Sequence, residues 1–132
     1  MISSQSIHDL IELQIKRGIL AENIIIAGFS QGGAVAYHAA LTFPKKLRGL
    51  MALSTYFATH DQIKIEAANA GLPTLIQHGT ADPIVPALLG ERAHKDLTAH
   101  KLTPKYLTYP MDHSVCVDQI HDISQWVNEI TA

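Results

Sequence analysis

The pentapeptide Gly28-Phe29-Ser30-Gln31-Gly32 directly follows the apolar run Ile24-Ile25-Ile26-Ala27. A serine hydroxyl is a poor nucleophile at its own pKa and needs a neighbouring base, itself oriented by a third group. Gly-x-Ser-x-Gly between an apolar strand and a helix is a nucleophile elbow, in which a sharp turn lifts the serine above the strand end. The turn is too tight for side chains two places before or after the serine, so Gly28 and Gly32 are both expected to be sterically required. Two later loops supply the partners. Gln77-His78-Gly79-Thr80-Ala81-Asp82-Pro83-Ile84-Val85-Pro86 offers Asp82, and Tyr109-Pro110-Met111-Asp112-His113-Ser114 offers His113. Ser30 would attack an acyl carbon, and His113 would take its proton and return it to the leaving group. Asp82 would hold the imidazole tautomer and stabilise its cation.

Each of these residues has a plainer reading. Ser30 could be a helix cap, and Asp82 before Pro83 an ordinary turn residue. The chain order of nucleophile, acid and histidine, shared with α/β-hydrolases, favours the catalytic reading. The chain has eight histidines, so one alone says little. His8, His94, His100 and His121 fall on predicted helices and read as solvated faces, and His38 reads as packing on the helix after the elbow. His78 precedes the acid and reads as structural, at a strand end. Asp112 rivals Asp82 as the orienting acid, although adjacent side chains rarely point at each other. Cys116 reads as a small buried or half-buried apolar residue. The paired ligand spacings of zinc sites are lacking, and no metal or organic cofactor is expected.

These loops must be held by a scaffold. Ser6 with Asp9 can cap a first helix through Ile7, Leu10, Ile11 and Gln14, with Gly18 closing it. Ile24 to Ala27 is a short continuous apolar run, as expected of a strand covered on both faces. Ala34, Ala36, Ala39, Ala40 and Leu41 carry the next helix until Phe43-Pro44. Leu47 to Leu53 predicts a strand, Ile63 to Ala70 a helical piece, and Thr74 to Gln77 a third strand. Leu88 to His100 predicts an amphipathic helix, Lys105 to Tyr109 a fourth strand, and Val115 to Ile130 a closing helix. Strands alternating with helices imply an α/β fold on a mostly parallel sheet, whose loops leave one carboxyl-terminal edge.

Composition sets outer bounds. The 132 residues, 47% hydrophobic, predict one globular domain over 1–132 and exclude intrinsic disorder. A net charge of −2 gives no electrostatic case for nucleic acid or an anionic membrane. No apolar stretch is long enough to span a bilayer, and Met1-Ile2-Ser3-Ser4-Gln5-Ser6 lacks the basic start of a secretory signal. With its single cysteine, the chain is expected in a reducing, cytoplasmic setting.

Taken together, Gly28 to Ala34, His78 to Pro86 and Tyr109 to Cys116 resemble the phospholipase/carboxylesterase family. That family includes bacterial carboxylesterases and acyl-protein thioesterases. The resemblance runs from Ile7 to Ile130 and implies the C-terminal part of an α/β-hydrolase, with about four mostly parallel strands and flanking helices. It places Ser30, Asp82 and His113 on the family's triad, and Gln31 on the residue whose backbone N–H is an oxyanion donor. Leu53-Ser54-Thr55-Tyr56 resembles the segment beside the acyl pocket, with Thr55 where relatives usually carry Gly. The implied substrates are small acyl esters or thioesters with short- to medium-chain acyl groups. Dimerisation is an expectation by resemblance only. The family also has strands and a His-Gly-rich loop ahead of this first helix, and that loop gives the second oxyanion N–H. No His-Gly-Gly or His-Gly-x-Gly occurs before Ser30. A truncated form with a bared strand edge is therefore expected, either a weakened hydrolase or a binding module derived from one.

Overall fold

The computed structural model describes residues 3–132; Met1 and Ile2, part of the N-terminal segment read above, lie outside the described residues. Four strands, β1 (Ile25–Phe29), β2 (Gly49–Leu53), β3 (Thr74–Gly79) and β4 (Lys105–Tyr109), pair in parallel in the order β1-β2-β3-β4. Helices α1 (Ser4–Lys16), α2 (Gln31–Thr42), α3 (Ala87–Ala99) and α4 (Val117–Thr131) flank them. No helix among the described residues is long and apolar enough to cross a membrane.

Side-chain alternation along the strands gives the sheet two faces. Leu50, Ala52 and Ile76 point to a cluster with Ile11 of α1, Ala36, Tyr37, Ala40 and Leu41 of α2, and Ala93 and Leu97 of α3. Burying a leucine of this kind contributes roughly 1.5–3 kcal/mol. The opposite face belongs to α4, whose Trp126 and Ile130 lie over Gly49; a Cβ there would sit 2.8 Å from the indole. The alanines of α2 let it lie close on β1 and β2. Every residue of β3 is buried, whereas Ala27 and Phe29 of the outer strand β1 are exposed. The edge of β1 has no strand partner among the described residues, which is the bared edge expected above.

Three expectations about the scaffold change. The first helix starts before Ser6, because Ser3 Oγ accepts the Ser6 N–H at 3.2 Å and caps the helix there; Gly18 follows its end at φ +98°. The stretch predicted as a helix over Ile63 to Ala70 keeps only a 3₁₀ turn at Ala67–Asn69. Ile63 and Ile65, two residues apart, both pack on the core, a spacing a helix does not allow. Buried Asn69 fastens this segment, accepting the Leu47 N–H and donating to the Phe43 and Lys45 carbonyls, each at 2.9 Å. Finally, three histidines read as solvated are half-buried. His8 meets the Ala39 carbonyl at 2.8 Å, His100 the His60 carbonyl at 3.0 Å, and His94 stacks on Tyr106. His121 is exposed as expected, and His38 is partly buried against Thr59 Oγ1 at 3.0 Å.

Candidate active site

The elbow is built by main-chain constraint. Ser30 stands between the end of β1 and the first residue of α2 at φ 55° and ψ −126°, a strained conformation for a residue with a side chain. Its N–H donates to the Leu53 carbonyl at 3.0 Å, and its own carbonyl accepts from the Gly33 N–H at 2.9 Å and from Thr55 Oγ1. Gly28 is required as expected, since a Cβ there would lie 2.5 Å from the Gly32 carbonyl oxygen. Gly32 is not: a Cβ there meets open space. The second crowded glycine is Gly33, whose Cβ would fall into the Thr55 side chain.

Because all four strands are parallel, the loops after β1, β3 and β4 open at one edge and bring Ser30, Asp82 and His113 into a hydrogen-bonded line. His113 Nδ1 donates to Asp82 Oδ2 at 2.7 Å, and Ser30 Oγ donates to His113 Nε2 at 3.0 Å. The Phe29 ring, 4.7 Å from that of His113 between centroids, covers one side of the imidazole. The other Asp82 oxygen, Oδ1, accepts the Ile84 and Val85 N–H groups at 2.9 Å each. Burial alone would raise the Asp82 pKa. The hydrogen bond from His113, those from the Val85 and Ile84 N–H groups, and the charge of His113 together outweigh burial and hold it below the usual carboxylate value. Asp112, the rival acid, has an exposed side chain.

Three further features stabilise this line, and of these the sequence anticipated only a structural role for His78. The acid and histidine loops are knitted by main-chain bonds, Thr80 N–H to the Tyr109 carbonyl at 2.8 Å and Ala81 N–H to the Met111 carbonyl at 3.1 Å. Gly79 permits that approach, because a Cβ there would strike the Met111 and Asp112 carbonyls. Below them, fully buried His78 donates from Nε2 to the Val85 carbonyl at 2.7 Å, closing the turn that presents Asp82. Gly90 of α3 makes room for the His78 ring. A further buried chain runs from Gln77 Nε2 to Tyr109 Oη at 2.9 Å and from that hydroxyl to Asp122 Oδ2 at 2.7 Å, tying the end of β4 to α4. The pair His78-Gly79 was the signal in the sequence for the first of these.

The four residues expected beside an acyl pocket do not act together. Ser54 and Thr55 are buried and Leu53 ends β2. Of the four, only Tyr56 lines either of two neighbouring hollows, and it lines both. One, of about 370 Å³, reaches from Gln31 past Ala34, Val35 and His38 to Thr59. The other, of about 440 Å³, lies between Phe57, His60 and α3. Exposed apolar side chains stand in or beside the acid and histidine loops, namely Ile84, Leu88, Val115 and Val117. Cys116 is half-buried at the start of α4 and forms no disulfide.

Known proteins resemble this chain in sequence and in fold. The chain is 36% identical over 135 residues to acyl-protein thioesterase 1 of Neurospora crassa, covering 98% of this chain and 55% of that protein. It is 33% identical to acyl-protein thioesterase 1 of Gibberella zeae, over 97% of this chain and 57% of the other. It thus spans little more than half the length of the curated relatives it matches. Among solved structures, Arabidopsis thaliana SOBER1 superposes with a TM-score of 0.89 at 28% identity, over 98% of this chain and 63% of that one. The Bacillus cereus carboxylesterase shares the fold, with a TM-score of 0.83 at 15% identity over 96% of this chain and 59% of its own. The profile of the phospholipase/carboxylesterase family extends over residues 1–131, elbow, acid loop and histidine loop together, and the chain belongs to that family of α/β-hydrolases.

Proposed function

We propose that this chain carries the catalytic residues of a serine hydrolase that cleaves carboxylic esters or acyl thioesters through an acyl-serine. The observation that carries this reading is the line from Ser30 Oγ through His113 to Asp82. With Nδ1–H donated to Asp82, the His113 Nε2 lone pair faces the serine hydroxyl, the tautomer a general base needs. Ser30 Oγ bonds to the acyl carbon while its proton passes to Nε2. The tetrahedral oxyanion collapses, His113 gives that proton to the leaving alcohol or thiol, and the acyl group stays on Ser30. Water then repeats the cycle: His113 takes its proton, hydroxide adds to the acyl carbon, and Ser30 leaves with the proton restored. Asp82, held ionised by its lowered pKa, stabilises the imidazolium at both stages. The reading assigns one oxyanion donor to this chain, the Gln31 N–H.

The surroundings support the substrate class. The hollow that begins at Gln31 has Ala34, Val35 and Ala58 in its wall, and the exposed side chains around the loops are aliphatic. Short- to medium-chain acyl groups suit these walls, and the thioesterase names of the relatives point the same way. The test is hydrolysis of a p-nitrophenyl acyl ester series by the purified chain beside Ser30→Ala. Turnover lost in the variant supports the reading, and equal rates in two folded proteins refute it.

The exposed edge of β1 favours a second reading, a module that keeps the hydrolase residues and pairs its open edge with another strand. A fluorophosphonate probe separates the two. Labelling of Ser30 that disappears in His113→Ala belongs to a working triad, and folded protein that is never labelled belongs to a binding module.

A further inference from the structure

Thr55 is buried, yet it sits directly against the nucleophile's backbone. Its Oγ1 donates to the Ser30 carbonyl, and its Cβ and methyl occupy the volume a side chain at Gly33 would need. That carbonyl belongs to the peptide unit whose other end is the Gln31 N–H. The unit is planar and trans, so its C=O and N–H point in opposite directions and cannot turn independently. Gln31 is the first residue of α2, where N–H groups have no intrahelical acceptor. Ser30, at φ 55° and ψ −126°, lies outside the well-populated backbone regions and depends on its surroundings to keep that peptide in place. Two donors hold the carbonyl end, the Gly33 N–H at 2.9 Å and the Thr55 hydroxyl. The first comes with the helix; the second is a choice of side chain.

We propose that Thr55 is a positioning residue for the hydrolysis assigned above: by holding the Ser30 carbonyl from behind, it aims the Gln31 N–H at the developing oxyanion. The inference rests on the serine-hydrolase reading. An oxyanion donor acts in the transition state, so loosening it lowers kcat and leaves KM in place.

The experiment compares p-nitrophenyl butyrate hydrolysis by the wild-type chain, Thr55→Val, Thr55→Ser and Ser30→Ala, each checked for a cooperative thermal transition. Losing a whole oxyanion donor costs about 10²–10³ in kcat. Misaiming one is expected to cost part of that, about 10-fold to 100-fold in Thr55→Val with KM within about twofold. Thr55→Ser keeps the hydroxyl and is expected to retain kcat within about threefold while melting lower for its lost methyl. A Thr55→Val kcat equal to wild type overturns the inference and leaves the hydrolase reading intact. Equal losses in Thr55→Val and Thr55→Ser also overturn it, since packing rather than the donor would then be responsible. Should Thr55→Val not fold, Thr55→Ala removes the same donor and must show the same kcat loss. Equal rates in wild type and Ser30→Ala overturn the hydrolase reading and this inference with it.

Discussion

Replacing Asp82 by Asn tests the proposed mechanism at its least exposed point. Asp82 spends its two oxygens differently: Oδ1 accepts two backbone N–H groups, and Oδ2 accepts the His113 Nδ1–H at 2.7 Å. An asparagine must keep its one carbonyl oxygen toward the Ile84 and Val85 N–H groups, because turning it would leave both donors unpaired, the Val85 one buried. Its NH₂ then faces His113 and donates where Oδ2 had accepted. Nδ1 can only accept, so the imidazole proton moves to Nε2 and points at Ser30 Oγ. The base is lost with almost no change of shape. In serine proteases the equivalent change costs about 10⁴ in kcat, or about 5 kcal/mol at 1.36 kcal/mol per tenfold. We expect a loss of that order in p-nitrophenyl ester hydrolysis, with KM little changed and the fold retained. A folded Asp82→Asn protein that loses less than about tenfold would refute the assignment of Asp82 as the orienting acid.

The same substitution has a signature in acid. The pKa of Asp82 is lower folded than unfolded, so its contribution to stability is complete above the unfolded value near 3.9. It is lost as the pH falls through the lower folded value. The amide of the Asp82→Asn variant has no such titration. The stability difference between the two proteins should therefore narrow as the pH falls below about 4. Urea melts through that acid range read it directly, and a gap that widens below about 4 would contradict the lowered pKa.

Other residues give independent tests. Gly28→Ala drives a Cβ into fixed backbone at the Gly32 carbonyl, whereas Gly32→Ala meets open space; the first should lose fluorophosphonate labelling and thermal stability, and the second should melt like wild type. Equal behaviour of the pair would contradict the elbow geometry. Asn69→Ala strands the Leu47 N–H and the Phe43 and Lys45 carbonyls and should cost about 3 kcal/mol in a urea melt. A cost under about 1 kcal/mol would show that water or the backbone replaces it. The open edge of β1 predicts association that grows with concentration in light scattering. A charge on that edge in Ala27→Lys should suppress it, and unchanged association would place the contact elsewhere.

The hydrogen-bonded line proposed as the triad was legible in this sequence because each of its side chains sits in a loop whose neighbours betray it. Ser30 has glycines around it, Asp82 follows a strand and precedes Pro83, and His113 follows the next strand. Parallel pairing, itself inferred from alternating elements, was enough to bring the three to one edge. The four strands and four helices were legible for the same reason, since each carries its own apolar pattern. What escaped detection acts through space. Asn69 reads as a polar loop residue until three main-chain groups from another segment close on it. His8, His94 and His100 sit on helix faces that are outward in a single helix and covered once a neighbour packs there. Gly32 fits the pentapeptide without being needed for space, while Gly33 is needed because of Thr55, which is distant in sequence. Thr55 is the sharpest instance. Its neighbours suggest the wall of a pocket, yet its hydroxyl is turned onto the nucleophile's own carbonyl. Residues that react announce themselves locally; residues that aim them are defined by partners far along the chain, so the determinants of rate in such a site are harder to read than its reactants.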